Sequence, residues 1–162
     1  MKPLLFATGI VLALLSCKTD NKIIFPEGLR AYSVADRLPF NPEWLEADKK
    51  LVVASKGLYL FSIPFMDIVE EYDIPVITVI FVKDDEKVIE ALRKYEFHYP
   101  FLHDPAQLLL KNNDLMKKLG FTNEKNTVFA FFMNGNEIHE PAQIGMTDLL
   151  REQLEKFTAG ER

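Results

Sequence analysis

Cysteine is almost missing: the 162 residues contain one, Cys17. A chain with one thiol forms no internal disulfide and holds no dithiol for exchange chemistry, whatever its compartment permits. A basic surface is also missing. Lys and Arg total 19 against 24 Asp and Glu, for a net charge of −5, and no basic run stands out. That balance argues against nucleic acid as a partner. Apolar runs stay well short of the ~20 residues that cross a bilayer as a helix. No His-x-His or HExxH spacing occurs, no internal repeat is visible, and no stretch is of low complexity. What remains is a mildly acidic, Phe-rich chain of a length that suits one domain with a real core.

The start of the chain is distinctive. Met1-Lys2-Pro3 is short and basic, and Leu4 to Leu15 is an apolar run of signal-peptide length. It ends in Leu14-Leu15-Ser16-Cys17, which resembles the bacterial lipobox, where the signal is cut before a Cys whose thiol is acylated. The resemblance implies residues 1–17 as a lipoprotein signal with lipidation at Cys17, and a membrane partner through the lipid anchor. Each buried CH₂ contributes about 0.8 kcal/mol, so several acyl chains make a durable anchor. Lys18 rather than Asp follows the Cys, so nothing resembles the inner-membrane retention signal, and the expected address is the cell envelope at the outer membrane. Using Cys17 as the anchor leaves the mature chain without a thiol.

Residues 18–44 read as a tether and N-terminal extension. Ile23-Ile24-Phe25 has the composition of a short strand, Pro26-Glu27-Gly28 signals a turn, and Pro39 and Pro42 impose extended or looped backbone. Trp44 and Leu45 are expected to start the core. The organising stretch comes next, LVVASKGLYLFSIP from Leu51 to Pro64. A β-branched apolar strand, about 51 to 55, breaks at Ser55-Lys56-Gly57 and gives way to a helical period. Leu58, Phe61, Phe65, Val69 and Tyr72 share one helical face, with Pro64 set to bend that helix or reset its start. Chemistry in α/β sheets gathers at such strand-to-helix corners, whose amides favour anions and thiolates. Here the corner offers no Cys, His or carboxylate.

Further on, Val76 to Val82 reads as a strand covered on both faces. Asp84-Asp85-Glu86 places acid at a helix N-terminus, and Val88, Ile89, Leu92 and Tyr95 form that helix's expected buried stripe. Tyr99 to Asp104 is a short extended piece. A helix over about 105–119, broken near Asn112-Asn113, stops at Gly120. Thr127 to Met133 is a third core strand, Asn134-Gly135 a hairpin turn into Asn136 to Ile144, and Thr147 opens the last helix. Strand 51–55 is expected at the centre, flanked by 76–82 and 127–133.

This order resembles the thioredoxin fold over residues 45–158, with 159–162 as a tail. The inserted segment resembles the redoxin branch of peroxiredoxins and membrane-tethered thiol–disulfide interchange proteins. FLHDP at 101–105, LMKKLG at 115–120 and TVFAFFMNGNEI at 127–138 carry the likeness together with Gly57 and Pro64. It implies an α/β/α sandwich around a mixed sheet with a redoxin-type helical insertion. The family's Cys-Gly-Pro-Cys falls on Lys56-Gly57-Leu58-Tyr59, and its cis-Pro on Asn126, so both sulfurs and the proline are replaced. A non-proline cis bond costs about 3 kcal/mol, and a trans peptide is expected at Asn126. Dithiol exchange and peroxidatic chemistry each need a thiolate that this corner lacks.

Ser55, Lys56, Gly57, Leu58, Tyr59 and Asn126 therefore form the candidate site, read as a degenerate turn used for contact, with no cofactor and no metal implied. His98 and His103 flank Tyr99-Pro100-Phe101, with Asp104 beside the second; they read as surface or loop residues rather than a metal site or an acid/base pair. Three functional classes are compatible with this site. One is a thioredoxin-like lipoprotein without redox activity that binds an envelope protein or peptide. Another is an oxidoreductase-related enzyme using a partner's or small molecule's thiol near Ser55 and Tyr59. The third is a structural accessory subunit.

Overall fold

The computed structural model describes residues 20–33, 39–122 and 127–160. Its centre is a six-stranded mixed sheet in the order β1-β4-β3-β2-β5-β6. The strands are β1 (Arg30–Tyr32), β2 (Lys49–Ser55), β3 (Val76–Ile80), β4 (Phe101–His103), β5 (Val128–Asn134) and β6 (Glu137–Pro141). β2, β3 and β4 run parallel, while β1, β5 and β6 are antiparallel to their neighbours. The expected central strand is central: Val53 pairs with Thr78 on one side and Ala130 on the other.

The sheet divides two cores because successive side chains leave a strand on opposite faces. Leu51, Val53, Ile80, Ala130 and Phe132 face one layer. That layer holds α1 (Phe65–Val69), α2 (Asp85–Lys94) and α5 (Thr147–Ala159). Val52, Ala54, Ile77, Val79, Phe129 and Phe131 face the other. There α3 (Leu108–Asn112) and α4 (Leu115–Lys118) cover the sheet with Ile23 and the 3-10 turn Pro42–Glu46.

The structure departs from the sequence expectation in several places. No continuous helix succeeds β2. A 3-10 turn, Leu58–Ser62, ends at an extended Ile63, α1 starts after Pro64, and a second 3-10 turn, Glu70–Tyr72, closes on Asp73 with φ of 50°. Pro64 has no N–H to give and resets the helix as its chemistry requires. Residues 23–25 form no strand; the nearest pairing is a bridge from Lys22 to Glu137, with Ile23 buried and Ile24 exposed. The N-terminal strand is instead Arg30–Tyr32, too short to show alternation in sequence. The hairpin turn lies one residue later than expected. Asn134 still pairs with Glu137, so Gly135 (φ 55°) and Asn136 make the turn, and β6 stops at Pro141 rather than Ile144. Ile89, expected in the stripe of α2, is 43% exposed.

Charge is placed where the dipoles and carbonyls receive it. Asp84 caps α2 by accepting from the Lys87 N–H, which holds its carboxyl below the usual range. Arg151 on α5 grips Glu71 with Nη1 and Nη2 of its guanidinium, and this pairing depresses Glu71's pKa. Lys50 is buried, and its ammonium donates to the carbonyls of Leu45 (2.7 Å) and Ala47 (2.8 Å). Burial lowers its pKa, against the opposing pull of Glu46 and Asp48. Among the described residues, no helix is long and apolar enough to cross a membrane.

Candidate functional site

Parallel strands deliver their carboxyl ends to one edge of the sheet, so Ser55, Ile80 and His103 end at the same side of the molecule. The corner after β2 is built from hydrogen bonds. Ser55 is fully buried; its hydroxyl donates to the Gly57 carbonyl at 2.6 Å and accepts from the Gly57 N–H at 3.0 Å. The Lys56 N–H donates to the Thr127 carbonyl at 2.7 Å. The Tyr59 hydroxyl meets the Thr127 hydroxyl at 2.6 Å. The turn after β2 is thus tied to the residue before β5 through both the carbonyl and the hydroxyl of Thr127.

This changes the sequence picture of the corner. An exposed turn is expected at Ser55, but the residue is interior, because its hydroxyl closes the turn on itself. Beyond Gly57 the chain makes a five-residue 3-10 turn rather than an α-helix, and the Gly57 amide is already occupied by the Ser55 hydroxyl. Gly57 has ordinary extended backbone (φ −125°), and its smallness is what counts. A Cβ there would lie 3.0 Å from Cδ1 and Cε1 of Tyr59. The Tyr59 ring therefore lies over the chain at Gly57, 45% exposed, with its hydroxyl anchored. Lys56 is half-buried, its ammonium 5.5 Å from the centre of the buried Phe129 ring, a cation–π distance. Leu58 is half-buried against the core. Asn126 and Cys17 lie outside the described residues. Thr127 does not stand out in the sequence; its position between Asn126 and β5 is the available signal.

His98 lies in the loop between α2 and β4, as its sequence reading had it, whereas His103 does not. His103 is 4% exposed and belongs to a strand, not to a surface loop. Its Nε2 lies 2.6 Å from the Val82 carbonyl and its Nδ1 3.4 Å from Asp85 Oδ1. Asp104 does not pair with it. That buried carboxylate accepts from the backbone N–H groups of Leu108 (2.9 Å) and Leu109 (2.8 Å) and so starts α3. His139 sits beside Phe157 on β6, at the other edge of the sheet. No group of three or more metal-ligating side chains occurs among the described residues.

Solved structures share this architecture. A proposed protein disulfide isomerase from Bacteroides thetaiotaomicron superposes with a TM-score of 0.53 at 12% identity, over 86% of this chain and 89% of that one. The thioredoxin domain of a thiol-disulfide oxidoreductase from Bacteroides vulgatus gives 0.51 at 10% identity, over 80% and 94%. A hypothetical protein from Sinorhizobium meliloti gives 0.50 at 13%, over 74% of each chain. No family model and no curated protein matches the sequence. The chain has a thioredoxin-like α/β fold of the type found in thiol-disulfide oxidoreductases.

Proposed function

We propose that this chain is a membrane-anchored, thioredoxin-like lipoprotein of the cell envelope that has no thiol–disulfide activity and binds a protein or peptide partner at the corner after β2. The observation that carries the reading is the Tyr59–Thr127 bond. It fixes an exposed aromatic ring across the turn where the resemblance would put the second sulfur. A ring held by its hydroxyl offers large contact area without losing side-chain freedom on binding. Lys56 adds a cation beside it. The single Cys supports the absence of exchange chemistry, since one sulfur at position 17 supplies no dithiol in the domain. A small thiol held at Ser55 is disfavoured, because the Ser55 hydroxyl is buried and fully engaged.

Activity, binding and processing each test this. The purified full chain is expected to show no disulfide reductase turnover with or without a reductant, and reproducible turnover would contradict the reading. Partner binding measured with Tyr59→Ala is expected to weaken by about 1 kcal/mol or more; unchanged affinity would remove the corner from the interface. For the anchor, Cys17→Ser is expected to abolish acylation and leave an unprocessed or misplaced precursor, and normal processing of that variant would contradict it.

A further inference from the structure

We propose that the cavity between α2 and the β1–β4 edge of the sheet binds a small apolar molecule carrying one hydrogen-bond-donating head group, of the alkylphenol kind, with the head received by the Asp85 carboxylate beside His103. The cavity holds about 440 Å³. An apolar cavity of about 150 Å³ suffices for benzene, and small-molecule sites commonly run from about 300 to 1,000 Å³. One wall is a face of α2, with Val88, Ile89 and Leu92 at helical spacing; Phe97 and Phe101 continue it. This is the apolar stripe that the sequence marks for burial, and Ile89 on it stands exposed.

The polar end selects the ligand. His103 Nε2 lies 2.6 Å from a carbonyl oxygen, which accepts only, so Nε2 carries the hydrogen. The other ring nitrogen, Nδ1, faces Asp85 Oδ1 at 3.4 Å, longer than the ~2.7–2.9 Å of a good charge-assisted bond. The Asp85 carboxylate accepts only, so a hydroxyl head seated beside the pair donates its one hydrogen to Oδ1, which an ether cannot do. An anionic head meets Asp85 and is repelled. Flat walls favour a ring: Tyr32 stacks on Phe101 at 5.3 Å and meets His103 edge-on at 5.6 Å. Arg93 and Glu96, opposite in sign, line the cavity toward the other end of α2, together with His98.

The test is calorimetric titration of the full chain with 4-propylphenol, its methyl ether 4-propylanisole, and 4-propylbenzoate. The phenol is expected to bind once per chain, the ether at least tenfold more weakly, and the benzoate no better than the ether. Ile89→Trp, at the exposed mouth, is expected to weaken phenol binding at least tenfold. Substituting the buried His103 risks the fold, so Asp85→Ala, at a half-exposed side chain, is the head-group variant. It is expected to narrow the phenol-to-ether ratio severalfold while leaving ether binding unchanged. Equal affinity for phenol and ether, unchanged binding in Ile89→Trp, or no binding of any probe up to about 1 mM would each overturn the proposal.

Discussion

Replacing Asp104 by Ala should cost the fold about 3 kcal/mol, and the magnitude comes from two hydrogen bonds to a charged group. Asp104 is buried, and its two oxygens receive the N–H groups of Leu108 and Leu109, the first amides of α3. Those amides have no intrahelical acceptor, so the carboxylate is their partner. Hydrogen bonds to a charged group contribute roughly 1.5–3 kcal/mol each, and a buried N–H left without an acceptor costs about 1–3 kcal/mol. Removing the carboxylate also relieves its own desolvation, several kcal/mol for a buried ion, which keeps the total near the low end at ~3 kcal/mol. Leu109 is fully buried, so water does not reach its amide easily. Asp104→Asn retains one accepting oxygen and turns a donor toward the other amide, so it should recover at most half of the loss. With a urea slope of about 2 kcal/mol per molar, the Ala variant should unfold roughly 1.5 M earlier. A shift under about 0.5 kcal/mol would refute the claim that this carboxylate starts the insertion.

Other outcomes rest on single residues. Val53→Asp should abolish cooperative folding, since an unpaired carboxylate between Thr78 and Ala130 costs several kcal/mol, and a soluble, cooperatively melting variant would count against the core. Thr78 Oγ1 is buried without a hydrogen-bond partner, so the isosteric Thr78→Val should stabilise by about 1 kcal/mol in denaturant titration. Burial depresses the pKa of Lys50 in the folded chain, so in the alkaline range the unfolded chain binds more protons and stability rises with pH. Measured against Lys50→Met at about pH 8 and pH 10, the natural chain should gain ground at the higher value. A constant or shrinking difference would contradict the assignment.

Where a residue type had one structural solution, the sequence was readable. VITVI in β3 is β-branched throughout, and apolar but for Thr78, because both faces are covered, and Gly120 sits at positive φ where a helix ends. Pro64 marked the interruption of the segment after β2 but not its outcome, because a five-residue 3-10 turn and an α-helix share the i, i+3 spacing of Leu58 and Phe61. β1 was invisible: three residues are too few to show a period of two, and its pairing with β4 is decided by tertiary contact. At the site, Lys56 and Tyr59 are legible by their place relative to Gly57 and Pro64. Thr127 is not, because its contribution is a carbonyl and a hydroxyl brought in from 68 residues beyond Tyr59, a distance in chain that local pattern does not register. His103 and Asp104 are adjacent in sequence yet serve different partners, one reaching back to α2 and the other forward to α3.

The central claim is that the corner after β2 is a contact surface, and cross-linking from position 59 addresses it most directly. A photoreactive phenylalanine analogue placed at Tyr59 in the intact chain, in cells, should yield one discrete adduct. The same probe at Ile24, 74% exposed and next to the turn end of the β5–β6 hairpin, should not give that adduct. No adduct at 59, or the same adduct from both positions, would contradict the account.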